Sequence, residues 1–126
     1  MTQRDESTGL SGPDEVARAM TIAGSDSGGG AGVQADLKSF AAMGVYGTSV
    51  LTAITAQNTV AVTEVMELPV SIIESQIDAV ISDIGTNAVK TGMLSSAVII
   101  EAVARKIKEH GLGNVVVDPV MVAKSG

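Results

Sequence analysis

The chain has 126 residues, 45 % of them hydrophobic, and a net charge of −6; that is one modest domain or part of a larger one, with the wrong charge for a nucleic acid or an anionic membrane as partner. It contains no cysteine, which excludes a disulfide, a thiolate nucleophile and a cysteine-ligated metal, while a nucleotide substrate stays allowed because a site can be locally positive in an acidic protein. No apolar run approaches the ~20 residues of a membrane span, and the first residues lack the basic start and apolar stretch of a signal peptide, so a cytoplasmic location is expected.

Residues 1–17 are polar and acidic and read as a disordered or expression-derived tail. Residues 18–126 alternate strand and helix patterns. A short buried strand over 19–23 leads into a glycine-rich loop, and a helix follows over about 33–43, with Val33, Leu37, Phe40 and Ala41 at helical spacing and Gly44 at its C-terminal cap. Residues 48–54 are rich in β-branched types and read as a second strand; 60–65 suit a short edge or flap strand. Pro69 opens a helix striped by Ile73, Ile77, Val80 and Ile81. A strand and turn over 88–93 precede a helix over about 96–110, with Ile99, Val103 and Ile107 inward and Glu101 paired to Arg105. A last strand over 114–117 closes the series. Phe40 and Tyr46 are the only aromatics, so the core must come from Val, Ile, Leu, Ala and Met, as in parallel sheets buried on both faces.

Strands alternating with helices of this length predict βαβ units. Ligands of such sheets bind at the carboxyl ends of the strands, which here marks the loops 24–32, 55–59, 92–95 and 118–126. A parallel strand needs a neighbour and a covering layer, so a chain whose last strand runs into a loop is expected to be part of a larger domain.

The densest feature is Gly24-Ser25-Asp26-Ser27-Gly28-Gly29-Gly30-Ala31-Gly32. Its glycines would let a ligand approach the backbone closely, and a helix start follows. The spacing matches neither G-x-G-x-x-G nor G-x-x-x-x-G-K-[ST], since no Lys follows the glycines; a hydrolase elbow fails because Asp26 stands at the serine position. Asp36, one helical turn beyond, is either a solvated acid or a carboxylate turned back on the loop amides. Gln57 and Asn58 at a strand end suit recognition of a heterocycle edge, or simply make a polar turn. Met93 follows another strand end, where methionine is commonly core filler. Asp118 could neighbour a cation, although one carboxylate is slight evidence for a metal. His110 sits at a helix C-terminus, where the dipole accounts for it, and takes no catalytic role.

Together, Thr21 through Lys38 (TIAGSDSGGGAGVQADLK), Thr52 through Thr59 (TAITAQNT), Lys90 through Leu94 (KTGML) and Val117 through Gly126 (VDPVMVAKSG) resemble, in order and spacing, the motifs of hydroxymethylpyrimidine/phosphomethylpyrimidine kinases. The resemblance covers about residues 19–126. It implies a ribokinase-like three-layer α/β/α sandwich with a mainly parallel sheet, of which this stretch is the N-terminal half. It also implies ATP with Mg²⁺ as cofactors and two successive phosphorylations, of 4-amino-5-hydroxymethyl-2-methylpyrimidine and then of its monophosphate, in thiamine diphosphate biosynthesis. Gln57 would hydrogen-bond the aminopyrimidine, Gly24 and Met93 would line the same pocket, Asp26 and Asp36 would shape the loop, and Asp118 would neighbour Mg²⁺–ATP. A homodimer is the assembly the family suggests. Family members are longer, and the resemblance places most of the ATP site and the hydroxyl-activating residue in their second half. No catalytic residue is therefore assigned here, and the stretch by itself is expected to be inactive, because phosphoryl transfer needs those positioning and charge-neutralising groups. Two alternatives stay open: a pyridoxal kinase-like enzyme, separated by its preference for pyridoxal, and a non-catalytic pyrimidine-binding half-domain, which would bind without releasing ADP.

Overall fold

The computed structural model describes residues 15–119, together with the backbone of Arg4–Asp5 and Leu10–Ser11. Those two pairs form an antiparallel ladder, β1 and β2; otherwise the tail expected over 1–17 lies largely outside the described residues. The elements then run β3 (Arg18–Ala23), α1 (Gly32–Ala42), β4 (Tyr46–Leu51), β5 (Ala53–Gln57), β6 (Val62–Glu67), α2 (Val70–Asp83), β7 (Ala88–Thr91), α3 (Ala97–Glu109) and β8 (Val115–Val117). Of the loop expected over 118–126, Asp118 and Pro119 are described.

Four strands make a parallel sheet in the order β4-β3-β7-β8. Side chains alternate across it. Met20, Ile22, Val50 and Val89 face α2 and α3, and with Ile73, Ile77, Ile99 and Val103 they form one buried cluster; each such side chain contributes about 1.5–3 kcal/mol by leaving water. Thr21 and Lys90 point the other way, towards Asp36 of α1. The layers are thus helix, sheet and helix pair, and both sides of the central strands are covered, as the near-continuous apolar runs require. No helix among the described residues is long and apolar enough to cross a membrane.

Two expectations change. The single strand expected over 48–54 is two: β4 ends at Leu51, and after Thr52 the chain leaves the sheet edge and pairs as β5 with β6 in an antiparallel hairpin. Thr52 N donates to Ala23 O at 3.0 Å and Ser25 N to Ala53 O at 2.9 Å, so the bend lets this segment satisfy β3 first and the glycine loop next. Arg105 bonds Glu74 of α2 at 2.6 Å rather than Glu101 of its own helix. The Glu74 carboxylate, packed between two helices and 25 % exposed, is less well solvated than a carboxylate on an open face and gains more from the guanidinium. The start of α3 is fastened by Ser96, whose side chain accepts from Ile99 N.

Candidate active site

The carboxyl ends of β3 and β7, the loop between β3 and α1, and the β5–β6 hairpin enclose a cavity of about 460 Å³, a size suited to a small organic ligand. Its shape begins with Asp26. That side chain is buried and accepts from the backbone N–H groups of Gly28 (2.8 Å), Gly30 (3.0 Å) and Ala31 (2.8 Å). Asp26 N donates to Gln34 Oε1 at 2.8 Å, and Gly29 N to Asp26 O at 2.9 Å. The loop therefore winds about an internal carboxylate. Three of its amides are spent on that anion, so much of a loop that looks at first like a phosphate cradle is a preformed wall.

The same loop is stitched to the hairpin by hydroxyls. Thr55 N donates to Ser25 Oγ (2.9 Å), Thr55 Oγ1 to Ser25 O (2.8 Å) and Gln57 N to Ser27 Oγ (2.7 Å). Gln57 ends β5 instead of lying in an open turn, and its carboxamide Oε1 lies 3.2 Å from Thr55 Oγ1, whose one proton is donated mainly to the nearer Ser25 O. Among the described residues Nε2 has no hydrogen-bond partner. Gly24, Gln57 and Met93 all line the cavity, with Met93 51 % exposed at its rim. The structure thus brings together the three residues singled out as a substrate pocket.

Asp36 does not turn back on the loop. Its Oδ2 accepts from Thr21 Oγ1 at 2.6 Å and from Lys90 Nζ at 2.8 Å, because α1 crosses the sheet face that carries those two side chains; its influence on the loop runs through the helix, not through loop amides. Lys90 Nζ also lies 3.9 Å from Asp118 Oδ2. Sequence reasoning passed over Lys90, although a lysine in a strand buried on both faces is a signal, since such a charge is rarely tolerated there without a partner. It also missed Ser25, Ser27 and Thr55, whose spacing says nothing of a loop lying along a strand.

Three carboxylates line the cavity: Asp26, Asp36 and Asp118. The first two are committed to amides and to Thr21 and Lys90, whereas Asp118, with its side chain 63 % exposed, makes no side-chain hydrogen bond among the described residues. One carboxylate without such a hydrogen bond, paired only at 3.9 Å with Lys90, fits Mg²⁺, which is commonly held by one or two carboxylates and otherwise by substrate phosphates and water. Among the described residues one cluster of three potential metal ligands occurs, Asp78, Glu109 and His110. It lies on the α2–α3 surface away from the cavity, and Lys106 Nζ sits 3.0 Å from Asp78 and 2.8 Å from Glu109, serving as its cation.

A parallel sheet between helix layers, with a cavity walled by a loop and a hairpin at the strands' carboxyl ends, defines an α/β protein built to hold a small molecule there. The family model described as phosphomethylpyrimidine kinase matches residues 26–126, and the chain belongs to that family. It is 58 % identical over 111 residues to a hydroxymethylpyrimidine/phosphomethylpyrimidine kinase of Bacillus subtilis, an alignment covering 88 % of this chain and 41 % of that protein. It is equally 58 % identical over 107 residues to a bifunctional thiamine biosynthesis protein of Geobacter sulfurreducens, covering 85 % of this chain and 22 % of the relative. Among solved structures, a phosphomethylpyrimidine kinase of Clostridium difficile superposes with a TM-score of 0.83 at 55 % identity, over 87 % of this chain and 48 % of the other. An ADP complex of Bacillus subtilis pyridoxal kinase gives 0.79 at 47 % identity, over 87 % and 42 %. The architecture is the ribokinase-like one. The chain spans about two fifths of the length of the single-function relative it matches.

Proposed function

We propose that the protein is an ATP-dependent kinase that phosphorylates the hydroxymethyl group of 4-amino-5-hydroxymethyl-2-methylpyrimidine and then the resulting monophosphate, for thiamine diphosphate biosynthesis. In this reading residues 18–126 are the N-terminal part of one ribokinase-like kinase domain and carry its acceptor side. The observation that supports it most directly is the convergence of Gly24, Gln57 and Met93 on one cavity. A carboxamide can donate to a ring nitrogen while accepting from an exocyclic amine; Gln57 keeps its Nε2 donor free, and a carbonyl oxygen has a second lone pair beside the one facing Thr55. Gly24 leaves the ring room, and Met93 offers an adaptable apolar contact.

Phosphoryl transfer depends on positioning and on neutralising charge. The residues described here position the acceptor: Asp26 fixes the wall, the Ser25–Thr55 and Ser27–Gln57 bonds fix the carboxamide, and Asp118 is the carboxylate offered to the Mg²⁺ of ATP, which supplies charge neutralisation at the phosphates. No residue of this stretch is assigned the proton transfer. A homodimer and a cytoplasmic location belong to the same proposal; light scattering on the full-length protein and cell fractionation check them.

The second reading is a pyridoxal kinase-like activity, favoured by the likeness to a pyridoxal kinase at 47 % identity. The deciding experiment is ADP release by the full-length protein on each acceptor. Faster turnover of the aminopyrimidine is expected, and equal or faster turnover of pyridoxal overturns the proposal. Binding of the aminopyrimidine with no ADP release would leave a pyrimidine-binding module.

A further inference from the structure

Resting on the reading just given, we propose that Lys90 is the residue that admits the second, phosphorylated acceptor. The two acceptors share a ring but differ in charge. The alcohol is neutral, whereas its phosphate monoester carries about −1.5 to −2 near neutral pH. A single cavity that takes both must offset that charge, and its described lining is otherwise poorly suited to an anion: three aspartates, with Lys90 the one cation among the described lining residues.

Most of the loop's backbone donors are already engaged, although the Gly32 N–H, at the cavity wall, makes no hydrogen bond among the described residues. The N–H groups of Gly28, Gly30 and Ala31 are held by the Asp26 carboxylate, that of Gly29 by Asp26 O, and that of Val33 by Gly24 O at 3.0 Å. The Lys90 ammonium has three N–H groups. Among the described residues it makes one hydrogen bond, to Asp36 Oδ2 at 2.8 Å, and Asp118 Oδ2 at 3.9 Å lies beyond hydrogen-bonding distance. Two donors are left for a ligand. The side chain is 23 % exposed and opens onto the cavity, and its aim is set from behind: Thr21 Oγ1 donates to the same Asp36 oxygen at 2.6 Å, on the strand paired beside Lys90. Lys90 is thus a tethered cation with spare donors, in a site that otherwise offers a phosphate little.

The test uses the full-length protein and both acceptors, the hydroxymethylpyrimidine and its monophosphate, with kcat/KM measured for wild type, Lys90→Met and Lys90→Arg. In Lys90→Met the loss on the monophosphate should exceed the loss on the alcohol by about ten-fold or more, the worth of a charge-assisted hydrogen bond. Started from the alcohol, that variant should accumulate monophosphate where wild type proceeds to the diphosphate. Lys90→Arg, which keeps the charge, should recover part of the discrimination. Equal losses on both acceptors, or no loss on either, overturn the inference and leave the kinase reading standing. Should Lys90→Met fail to fold, Asp36→Asn keeps the lysine but removes its tether; a shifted ratio between the acceptors is expected there, and an unchanged one overturns the inference. A wild-type protein that uses neither acceptor overturns the kinase reading, and this inference with it.

Discussion

Gln57 and Gly24 meet the cavity in opposite ways, one by offering a polar group and the other by leaving room. Replacing Gln57 with Ala in the full-length protein should weaken binding of the aminopyrimidine by about 1–3 kcal/mol, the range for leaving a ligand's polar groups unpaired; isothermal titration checks it, and unchanged affinity would make Gln57 a structural strand end. A Cβ on Gly24 would meet only ordinary contacts, Ala53 O at 3.7 Å and Ala53 Cβ at 3.9 Å, so Gly24→Ala should leave thermal stability nearly unchanged and raise the acceptor KM. Gly32 is the contrast. Its φ is +61°, and an added Cβ would lie 2.5 Å from Gly24 O, so Gly32→Ala should lower stability by about 3 kcal/mol, combining a left-handed backbone with overpacking. Chemical denaturation of the two variants separates the roles. At this scale the sequence was partly legible. A glycine-dense turn at a strand end and a carboxamide at the next one announce a site by residue type. Lys90 was hidden because its significance lies in Thr21 and Asp36, far off in the chain, and Asp36 stayed open between two readings because spacing along a helix does not say which neighbour the helix crosses.

The hairpin β5–β6 shows what element-level patterning can and cannot convey. Residues 48–54 carry one unbroken β-branched signal, and nothing at Thr52 resembles a turn; the break shows only in the bonds of successive residues, Thr52 N donating to Ala23 O of β3 and Ala53 O accepting from Ser25 N of the glycine loop. Helices were easier, since the stripe through Ile73 and Ile77 is a local feature. What joins α2 to α3 at the surface is not local: His110 Nε2 lies 2.7 Å from Asp78 Oδ1, and Lys106 Nζ 3.0 Å from Asp78 Oδ2. The His110 hydrogen bond first, and that of Lys106 next, hold the Asp78 carboxyl below its ordinary value of 3.8. A carboxylate depressed in the folded state adds stability that is present above its unfolded value and is lost as pH falls through the folded one. The melting-temperature gap between wild type and Asp78→Asn should therefore be open at neutral pH and shrink below about pH 4. A gap independent of pH would show that the Asp78 contacts add nothing by charge.

For the molecule as a whole, apolar surface is distributed unevenly. Val98 and Ile100 of α3 and Val116 and Val117 of β8 are all more than half exposed, and β8 stands at the edge of the sheet. Edge strands with apolar side chains pair readily with other chains. Residues 1–126 produced alone should self-associate, and Val116→Lys with Val117→Lys should reduce this, as read by light scattering. The βαβ order and the parallel sheet were legible from alternation alone; which strand would lie at an edge was not, because strand order depends on crossovers that leave no mark on composition.

None of the residues in the main buried cluster lines the cavity: Met20, Ile22, Val50, Val89 and their helical partners occupy the α2–α3 side, and the acceptor residues sit at the strand ends and on the hairpin. The large apolar side chains that hold the sheet to α2 and α3 and the exposed residues at the cavity rim are thereby separate sets of positions. Wall residues such as Asp26, which is buried, and Gly32 serve both folding and site. A lineage carrying this scaffold can try new acceptors by changing exposed rim positions such as Met93, 51 % exposed, while its folding free energy stays nearly fixed, since surface substitutions usually shift it by no more than about 0.5 kcal/mol. Divergence of substrate preference on a constant frame is then the cheap evolutionary path, and loss of the frame the expensive one.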